Sequence, residues 1–200
     1  KSQRKMRHNE HILGQQFSLR PLSDGDADFV VGLRNTPELS KYLHHGATSI
    51  DAQLKWQNTY YSRAGDYYFV IENNKTHKPE GLIALYAVDD HASRAEWGRW
   101  LILPGSLAAP ESALLIYRFG LENLNLQELY CRTVAENRAV VSFHDSCGIP
   151  LSRVLSNHFE ISGESFDAIE HTVNHALWPR IKERLQKTVT FLARKQQQNG

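Results

Sequence analysis

The spacing of apolar residues changes period several times along the chain, and each change predicts a new element. Apolar and polar residues alternate from Phe17 to Pro21, which predicts a first strand over 16–20. Residues that favour helix N-termini then precede three helical stretches, which are predicted over 24–34, 37–43 and 49–63. The first part of the chain is therefore predicted to be one strand followed by a helical arm.

The middle and the end of the chain alternate between strand-like and helix-like patterns. Aromatic and β-branched runs bounded by turn residues predict strands over 66–73, 81–88, 94–103, 126–134, 152–161 and 166–173. Apolar residues at helical spacing predict helices over 111–124, 137–147 and 175–194. Neighbouring antiparallel strands followed by a strand–helix–strand crossover predict an α+β fold with a mixed sheet.

Composition and charge narrow the class of protein. The chain has 200 residues, of which 41% are hydrophobic and 22% charged, and this is typical of one globular domain. No apolar run approaches the length of about 18 residues that a membrane span needs, and no apolar leader follows the basic start. Basic residues gather in 1–11 and 180–200, which leaves 13 basic and 20 acidic residues between them. An acidic body argues against a nucleic-acid partner, because such a surface needs clustered Lys and Arg.

The spacing of cysteine and histidine excludes several chemistries. Cys131 and Cys147 form no CxxC pattern, so they are predicted to be reduced thiols in a cytoplasmic protein. The ten histidines fit no HExxH pattern, and we predict no metal site. The chain also lacks a GxSxG nucleophile turn and a GxGxxG dinucleotide loop.

A strand, a tight turn and a helix N-terminus follow one another in the middle of the chain. The predicted strand ends at Pro104 and Gly105, and the helical pattern begins near Glu111. The residues between them include Ser106, Leu107, Ala108 and Ala109. Free backbone N–H groups converge where a helix begins, so this segment predicts a cradle for a pyrophosphate.

A set of short motifs occurs in a fixed order along residues 16–180. The motifs are Leu19-Arg20-Pro21, Arg34-Asn35, Trp56, Ala95-Glu96-Trp97-Gly98, Phe119, Asn137 and Gly148-Ile149. In this order they resemble the GNAT superfamily of acyl-CoA N-acetyltransferases. One subset resembles bacterial members that acetylate nucleotide-linked amino sugars, and it consists of Arg34-Asn35, Trp56, Trp97-Gly98 and Trp178. Ribosomal-protein N-terminal acetyltransferases share much of the same frame.

The resemblance implies a fold, an activity and a division of the chain. The fold is a central mixed, mostly antiparallel sheet of about six to seven strands flanked by helices. The activity is transfer of an acetyl group from the co-substrate acetyl-CoA to a primary amine, and the favoured acceptor is a nucleotide-linked amino sugar. Residues 13–180 form the acetyltransferase domain, 1–12 a basic tail, and 181–200 an amphipathic helix with a polar tail.

Three alternatives stay open at this point. The acceptor amine can instead belong to the N-terminus of a peptide or protein. The chain can instead be a non-catalytic domain of the same fold that binds a CoA compound or a partner. The terminal helix can dock on its own sheet or on a second copy of the chain, and the second arrangement would make a homodimer.

Two positions depart from the family pattern. The family's pyrophosphate loop reads Gln/Arg-x-x-Gly-x-Gly/Ala, whereas the loop over 104–112 has one glycine and contains Pro110, which lacks an N–H donor. His144 stands seven residues after Asn137, where the family often has Tyr. We therefore expect a weaker grip on the phosphates of the donor.

The resemblance also implies two catalytic residues. Glu96 is predicted to be the general base for the amine, with pairing to Arg94 or Arg99 as the alternative for its carboxylate. His144 is predicted to be the general acid for the departing thiolate, because an imidazolium exists near neutral pH.

Binding residues are expected along a slot near Trp100, where two neighbouring strands part. Asn137 is predicted to bond the pantetheine arm of acetyl-CoA. The backbone contacts to the donor are predicted at Leu101, Ile102, Leu103, Ser106, Leu107, Ala108 and Ala109. The acceptor-site candidates are Arg34, Trp56, Tyr68, Tyr86 and Trp100.

Overall fold

The computed structural model describes residues 5–200, and these residues form seven strands and six α-helices. The strands are β1 (Phe17–Pro21), β2 (Tyr67–Asn73), β3 (Pro79–Asp89), β4 (Arg94–Ile102), β5 (Glu128–Val134), β6 (Leu151–Ile161) and β7 (Glu164–Asn174). The helices are α1 (Ala27–Arg34), α2 (Pro37–Ser40), α3 (Ile50–Tyr60), α4 (Ala109–Arg118), α5 (Arg138–Ser146) and α6 (Trp178–Gln198).

The seven strands join one sheet in the order β1-β2-β3-β4-β5-β7-β6. Every neighbouring pair is antiparallel except β4 and β5, which run parallel. The crossover through α4 accounts for this pair, because parallel neighbours need a long connection. The predicted mixed, mostly antiparallel sheet flanked by helices is confirmed.

The predicted elements occur in the expected order, with differences at their ends. The pattern predicts one helix over 111–124, whereas α4 ends at Arg118 and a π-helical turn, Phe119–Asn123, continues it. The pattern also predicts the last helix from residue 175. A turn precedes α6 instead, because the Asn174 side chain accepts the Leu177 N–H at 2.9 Å.

The strands β4 and β5 pair over a short stretch and then separate. Pairing joins residues 94–96 of β4 to residues 128–130 of β5. Farther along β4, Arg99 has a φ of 46°, and Ile83 of β3 stands opposite a bulge formed by Arg99 and Trp100. A bulge bends a strand and increases its twist. The predicted slot between two parted strands is confirmed, and the parting begins just after Glu96.

Apolar side chains pack on both faces of the sheet. On one face, Trp97, Phe119 and Leu129 belong to a core that includes the buried sides of α4 and α6. On the other face, Tyr68 and Leu82 belong to a smaller core that includes residues of α1 and α3. The two layers of helices therefore cover the sheet from both sides and leave the slot open at its centre.

Segments near both ends of the described chain pack in the core that contains α4. The stripe of Ile181, Leu185 and Val189 on α6 is buried in the same core as α4, so the terminal helix docks on its own domain. Ile12 is buried and exchanges two backbone hydrogen bonds with Leu19. The packing therefore continues across the predicted limits at 12 and 180, while residues 1–4 of the predicted tail lie outside the described residues. No helix within 5–200 has both the length and the apolar character needed to cross a membrane.

Candidate active site

The slot between β4 and β5 encloses a cavity of about 250 Å³. Its walls include Glu96 and Trp97 of β4, Cys131 of β5, and Asn137 and His144 at α5. Because β4 has left β5 at this point, the backbone groups on that side of β4 have no strand partner. They are available to hydrogen-bond an extended amide-containing chain such as a pantetheine arm.

Glu96 is the last residue of β4 that pairs with β5, so its carboxylate lies where the slot begins. The Tyr86 hydroxyl donates a 3.1 Å hydrogen bond to Glu96 Oε2, and Arg132 Nη1 lies 3.8 Å from Oε1. Burial raises the pKa of Glu96, while the Tyr86 hydrogen bond and the Arg132 charge act in the opposite direction. A carboxylate with a raised pKa is a stronger proton acceptor than a free one, which suits a general base.

The two arginines that are nearest to Glu96 in the sequence are engaged elsewhere. Arg94 pairs with Glu128 at 2.9 Å. Arg99 makes a bidentate pair with Asp66, at N–O distances of 2.8 and 3.0 Å. Neither arginine therefore neutralises Glu96.

His144 lines the slot, but its ring does not have the protonated form that a general acid requires. Its ring is 1% exposed and packs edge-on against Trp97. Burial, and then the neighbouring His171, lower the pKa of His144 to about 3. The ring is uncharged at neutral pH, so the structure does not support proton donation by an imidazolium at this position.

Asn137 lies at the N-cap position of α5, yet its side chain makes no capping hydrogen bond. Asn137 lines the slot, and its side chain makes no hydrogen bond within residues 5–200. Leu101 and Ile102 continue β4 beyond the residues that line this cavity, and they pair with β3 along one edge only. The Leu103 N–H donates to Glu80 O at 2.8 Å and its carbonyl accepts the Ser106 N–H at 2.9 Å, so both backbone groups of this third predicted residue are engaged within the protein.

The predicted pyrophosphate loop forms a tight turn between β4 and α4. Gly105 has a φ of 87°, and the Ser106 N–H closes the turn by a 2.9 Å hydrogen bond to the Leu103 carbonyl. The Ala108 N–H donates to Ser106 Oγ at 3.2 Å. Leu107 and Ala109 therefore carry the N–H groups that remain among the four predicted positions. The loop therefore offers fewer backbone N–H donors than the family pattern supplies.

Glu111 lies in the first turn of α4, where a free carboxylate would oppose a bound phosphate. Its buried carboxylate instead accepts the N–H groups of Gln15, Gln16 and Phe17 at 2.7, 2.8 and 2.9 Å. The charge is thereby satisfied by the backbone ahead of β1. The N-terminus of α4 keeps the positive field that favours an anion.

A second and larger cavity, of about 500 Å³, adjoins the slot. The two cavities share Arg34, His44 and Arg99 in their walls. Trp56 and Tyr68 line the larger cavity beside Arg34, so three of the predicted acceptor residues come together there.

Arg34 is the guanidinium of this cavity that has no carboxylate partner among the described residues. Its Nη2 donates to the His44 carbonyl at 3.0 Å. Within residues 5–200, no carboxylate forms a salt bridge with it. A guanidinium in this state is suited to bind a phosphate or a carboxylate.

The other two acceptor candidates, Tyr86 and Trp100, line the slot rather than the larger cavity. Trp100 Nε1 donates to Ser112 Oγ of α4 at 3.0 Å, and the indole packs against Phe143 of α5. Trp100 therefore belongs to the donor side of the slot. Tyr86 belongs to the reaction centre through its hydrogen bond to Glu96.

Arg99 is a site residue whose place the sequence reasoning does not find. The bulge in β4 sets its guanidinium over the rings of Tyr86 and Tyr68, at 4.4 and 5.1 Å from their centres. A glycine inside a strand pattern is a signal for a bulge or a close approach, and Gly98 supplied that signal. A Cβ at Gly98 would lie 2.5 Å from the Tyr86 hydroxyl, so only glycine leaves room for it.

The site thus combines a parallel strand pair that separates, a partly buried carboxylate at the point of separation and a slot beside it. The model of the acetyltransferase (GNAT) domain matches residues 16–149. The chain therefore belongs to the GNAT family and is an acetyltransferase, and this favours the enzyme over a non-catalytic domain. Domains of this family use acetyl-CoA as co-substrate.

Solved structures share the whole fold. A GCN5-related N-acetyltransferase from Brucella melitensis is 17% identical, with a TM-score of 0.79 over 93% of this chain and 88% of its own. A variant of the spermidine N-acetyltransferase SpeG from Vibrio cholerae is 22% identical, with a TM-score of 0.71 over 82% and 96%. FdhC, a nucleotide-linked sugar GNAT, is 26% identical, with a TM-score of 0.70 over 94% and 98%. No curated protein matches the sequence significantly.

Proposed function

We propose that this enzyme acetylates a primary amine on a nucleotide-linked amino sugar. The observation that carries the proposal is the charge of the larger cavity, whose wall contains Arg34 and, among residues 5–200, no carboxylate. Arg99 also lines this wall, but its charge is balanced by Asp66. An anionic diphosphate satisfies Arg34, because a guanidinium binds phosphate through two parallel hydrogen bonds. The rings of Trp56 and Tyr68 in the same wall provide apolar surface for a base or a sugar.

The same cavity argues against a polyamine acceptor. Spermidine carries several positive charges, and the Arg34 guanidinium, which forms no salt bridge within residues 5–200, repels it. The fold alone does not select the acceptor, since its relatives include both a spermidine enzyme and a nucleotide-linked sugar enzyme. The relative of the second kind shares 26% identity over 94% of this chain, and this supports the sugar acceptor.

Glu96 acts as the general base in this proposal. Acetyl-CoA supplies the acetyl thioester. The acceptor amine is mostly protonated at neutral pH and must lose a proton before it can attack. The Glu96 carboxylate takes this proton, directly or through one water, where the slot meets the acceptor cavity. Such catalysis contributes roughly 10²- to 10⁴-fold to the rate.

The walls of the slot supply the remaining contacts. N–H groups of β4 beyond Glu96, on the edge that faces away from β3, stabilise the negative charge that develops on the carbonyl oxygen. The free Asn137 amide holds the pantetheine arm beside them. A thiol has a pKa near 8.5, so the thiolate leaves without a charged acid and takes a proton from solvent. The uncharged His144 ring forms part of the wall.

The test is a comparison of acceptors with the purified protein. Release of free thiol from acetyl-CoA is followed with UDP- and dTDP-linked amino sugars, spermidine and short peptides with free N-termini. The proposal expects the highest kcat/KM for a nucleotide-linked amino sugar. A higher kcat/KM for spermidine or for a peptide would replace it. We place the reaction in the cytoplasm, because both cysteines are free thiols.

A further inference from the structure

Three side chains of metal-binding type meet in the core beside the slot. They are Cys131 of β5, His144 of α5 and His171 of β7. All three are buried, and one ligand atom from each lies within 4.8 Å of the other two. The sheet register sets Cys131 directly opposite His171, and α5 brings His144 to the same point.

The hydrogen bonds of this cluster are incomplete. His171 Nε2 bonds to Asp145 Oδ1 at 2.9 Å, whereas its Nδ1 has no partner within residues 5–200. His144 Nε2 lies 3.6 Å from Cys131 Sγ, and its Nδ1 also lacks a partner in that part of the chain. Buried polar atoms without partners are rare in native proteins, and a bound ion is one established reason for them. Here that reason applies to His171 Nδ1, since His144 faces Cys131 through Nε2.

We propose that Cys131, His144 and His171 bind one Zn²⁺ ion. A tetrahedral ion with a Zn–S bond of about 2.3 Å and a Zn–N bond of about 2.0–2.1 Å separates sulfur from nitrogen by about 3.6 Å. The distance from Cys131 Sγ to His144 Nε2 already has this value. The donor of His171 approaches by roughly 1 Å to complete the set.

Asp145 occupies the position of an orienting partner. Histidine ligands usually donate their other ring N–H to a carboxylate, which fixes the ring and increases its basicity. His171 makes this contact through Nε2, which leaves the lone pair of Nδ1 for the metal. On binding, Cys131 loses its thiol proton to solvent, one Zn–S and two Zn–N bonds form, and no group is oxidised or reduced.

The types of ligand favour one metal ion, and their position beside the slot indicates how the ion enters. Thiolate with two imidazoles favours Zn²⁺, whereas Mg²⁺ and Ca²⁺ prefer oxygen ligands. Cys131 and His144 also line the slot, so the ion enters from there and its fourth position, held by water, faces the slot. The proposed acetyl transfer uses neither Cys131 nor His171. The outcome of a test of the metal site therefore does not depend on the outcome for acetyl transfer.

Direct binding to the full chain tests the site, without acetyl-CoA or acceptor present. The protein is stripped with EDTA and titrated with Zn²⁺ against a chromogenic chelator. A second titration with Co²⁺ follows the thiolate-to-cobalt absorption band. We expect one ion per chain and a cobalt band of a tetrahedral site with one thiolate. Absence of stoichiometric Zn²⁺ binding, or of the thiolate band, would overturn the proposal.

Variants assign the ligands. Cys131→Ser is expected to abolish the cobalt band, and Asp145→Asn to weaken Zn²⁺ binding roughly 10- to 100-fold while leaving the band in place. The Asp145 side chain is 59% exposed, so this variant keeps the assignment testable even where a core substitution fails to fold. Cys147→Ser is the matched control, since Cys147 is the other buried cysteine and lies outside the cluster. Equal loss of binding in Cys147→Ser, or unchanged binding in Asp145→Asn, would contradict the assignment.

Discussion

The Tyr86 hydroxyl donates a 3.1 Å hydrogen bond to Glu96 Oε2, and the two residues are direct partners across β3 and β4. The pair stands at the last position where β4 still touches β5. The sheet register therefore holds the carboxylate at the start of the slot, and the hydroxyl fixes its orientation there. This relationship connects the topology of the sheet to the proposed proton transfer.

Glu96→Gln is expected to lower kcat by roughly 10²- to 10⁴-fold, because the amide cannot accept the proton of the amine. The substitution keeps the size of the side chain, so the Kd for acetyl-CoA is expected to stay the same. Thiol-release kinetics and calorimetry measure the two quantities. Glu128→Gln is the control, since Glu128 pairs with Arg94 instead of facing the slot. An unchanged kcat in Glu96→Gln would remove Glu96 from the mechanism.

Tyr86→Phe is expected to move the acidic limb of the pH profile of kcat/KM to higher pH. The hydrogen bond from Tyr86 lowers the pKa of Glu96, so its loss raises that pKa. The base must be ionised to act, and a higher pKa requires a higher pH for the same activity. A net hydrogen-bond energy of about 1 kcal/mol corresponds to a shift of roughly 0.7 pH units. An unchanged acidic limb of the kcat/KM profile would show that the ionisation of Glu96 does not determine it.

Arg34→Gln is expected to raise the KM for a nucleotide-linked amino sugar by roughly 10- to 100-fold, the effect of losing one hydrogen-bonded charge pair. The KM for acetyl-CoA is expected to change less than the KM for the acceptor, because Arg34 lies where the acceptor cavity meets the slot. Steady-state kinetics with each substrate varied in turn separate the two. Arg180→Gln, an exposed substitution on α6, is the control. Equal effects on both KM values would argue against a role confined to the acceptor.

Leu185→Ala is expected to lower the free energy of unfolding by about 2–5 kcal/mol, the usual effect of truncating a buried leucine. Leu185 is 2% exposed and lies in the main core with α4. Phe191→Ala on the same helix is the control, because Phe191 is 57% exposed and its loss is expected to have a small effect. Urea unfolding measures both variants. A small effect of Leu185→Ala would show that α6 contributes little to the domain in solution.

The stability of the protein is expected to fall as the pH drops from about 6.5 to about 4, in part because of His8. Burial lowers the pKa of His8 from 6.5 to about 4, and a hydrogen bond to the Tyr68 carbonyl partly offsets this. The unfolded chain therefore binds a proton in this range before the folded chain does, and stability is lost as the pH falls.

His8→Phe tests the contribution of this histidine, since the His8 ring packs against Tyr67 and Phe69 and an aromatic ring preserves that contact. Urea midpoints are compared at pH 7.5 and pH 5. The loss between the two values is expected to be smaller in His8→Phe than in the original chain. His91→Gln, at an exposed turn, is the control and is expected to leave the loss unchanged. An equal loss in His8→Phe would assign the pH dependence to other groups.

Much of the fold was predictable because it depends on local patterns. Alternation around Leu19, the aromatic run of β2 and the glycine after α5 each reflect a backbone preference that acts over a few residues. Glu96 and Asn137 were expected at the slot because the resemblance to the GNAT superfamily assigns a role to each of their positions. The chemistry of His144 was not predictable in this way. Its protonation depends on burial against Trp97 and on a second histidine 27 residues away, which no local pattern records.

The sequence by itself determined which segments are strands and helices, their order, and the residue types available for acetyl transfer. Only the tertiary structure decided that Arg99 pairs with Asp66 instead of Glu96, that Arg34 forms no salt bridge within residues 5–200, and that Cys131 and His171 meet. Periodicity depends on the geometry of one element, whereas these relationships depend on where a strand bulges and which strands become neighbours. Those outcomes are set by packing across the whole sheet.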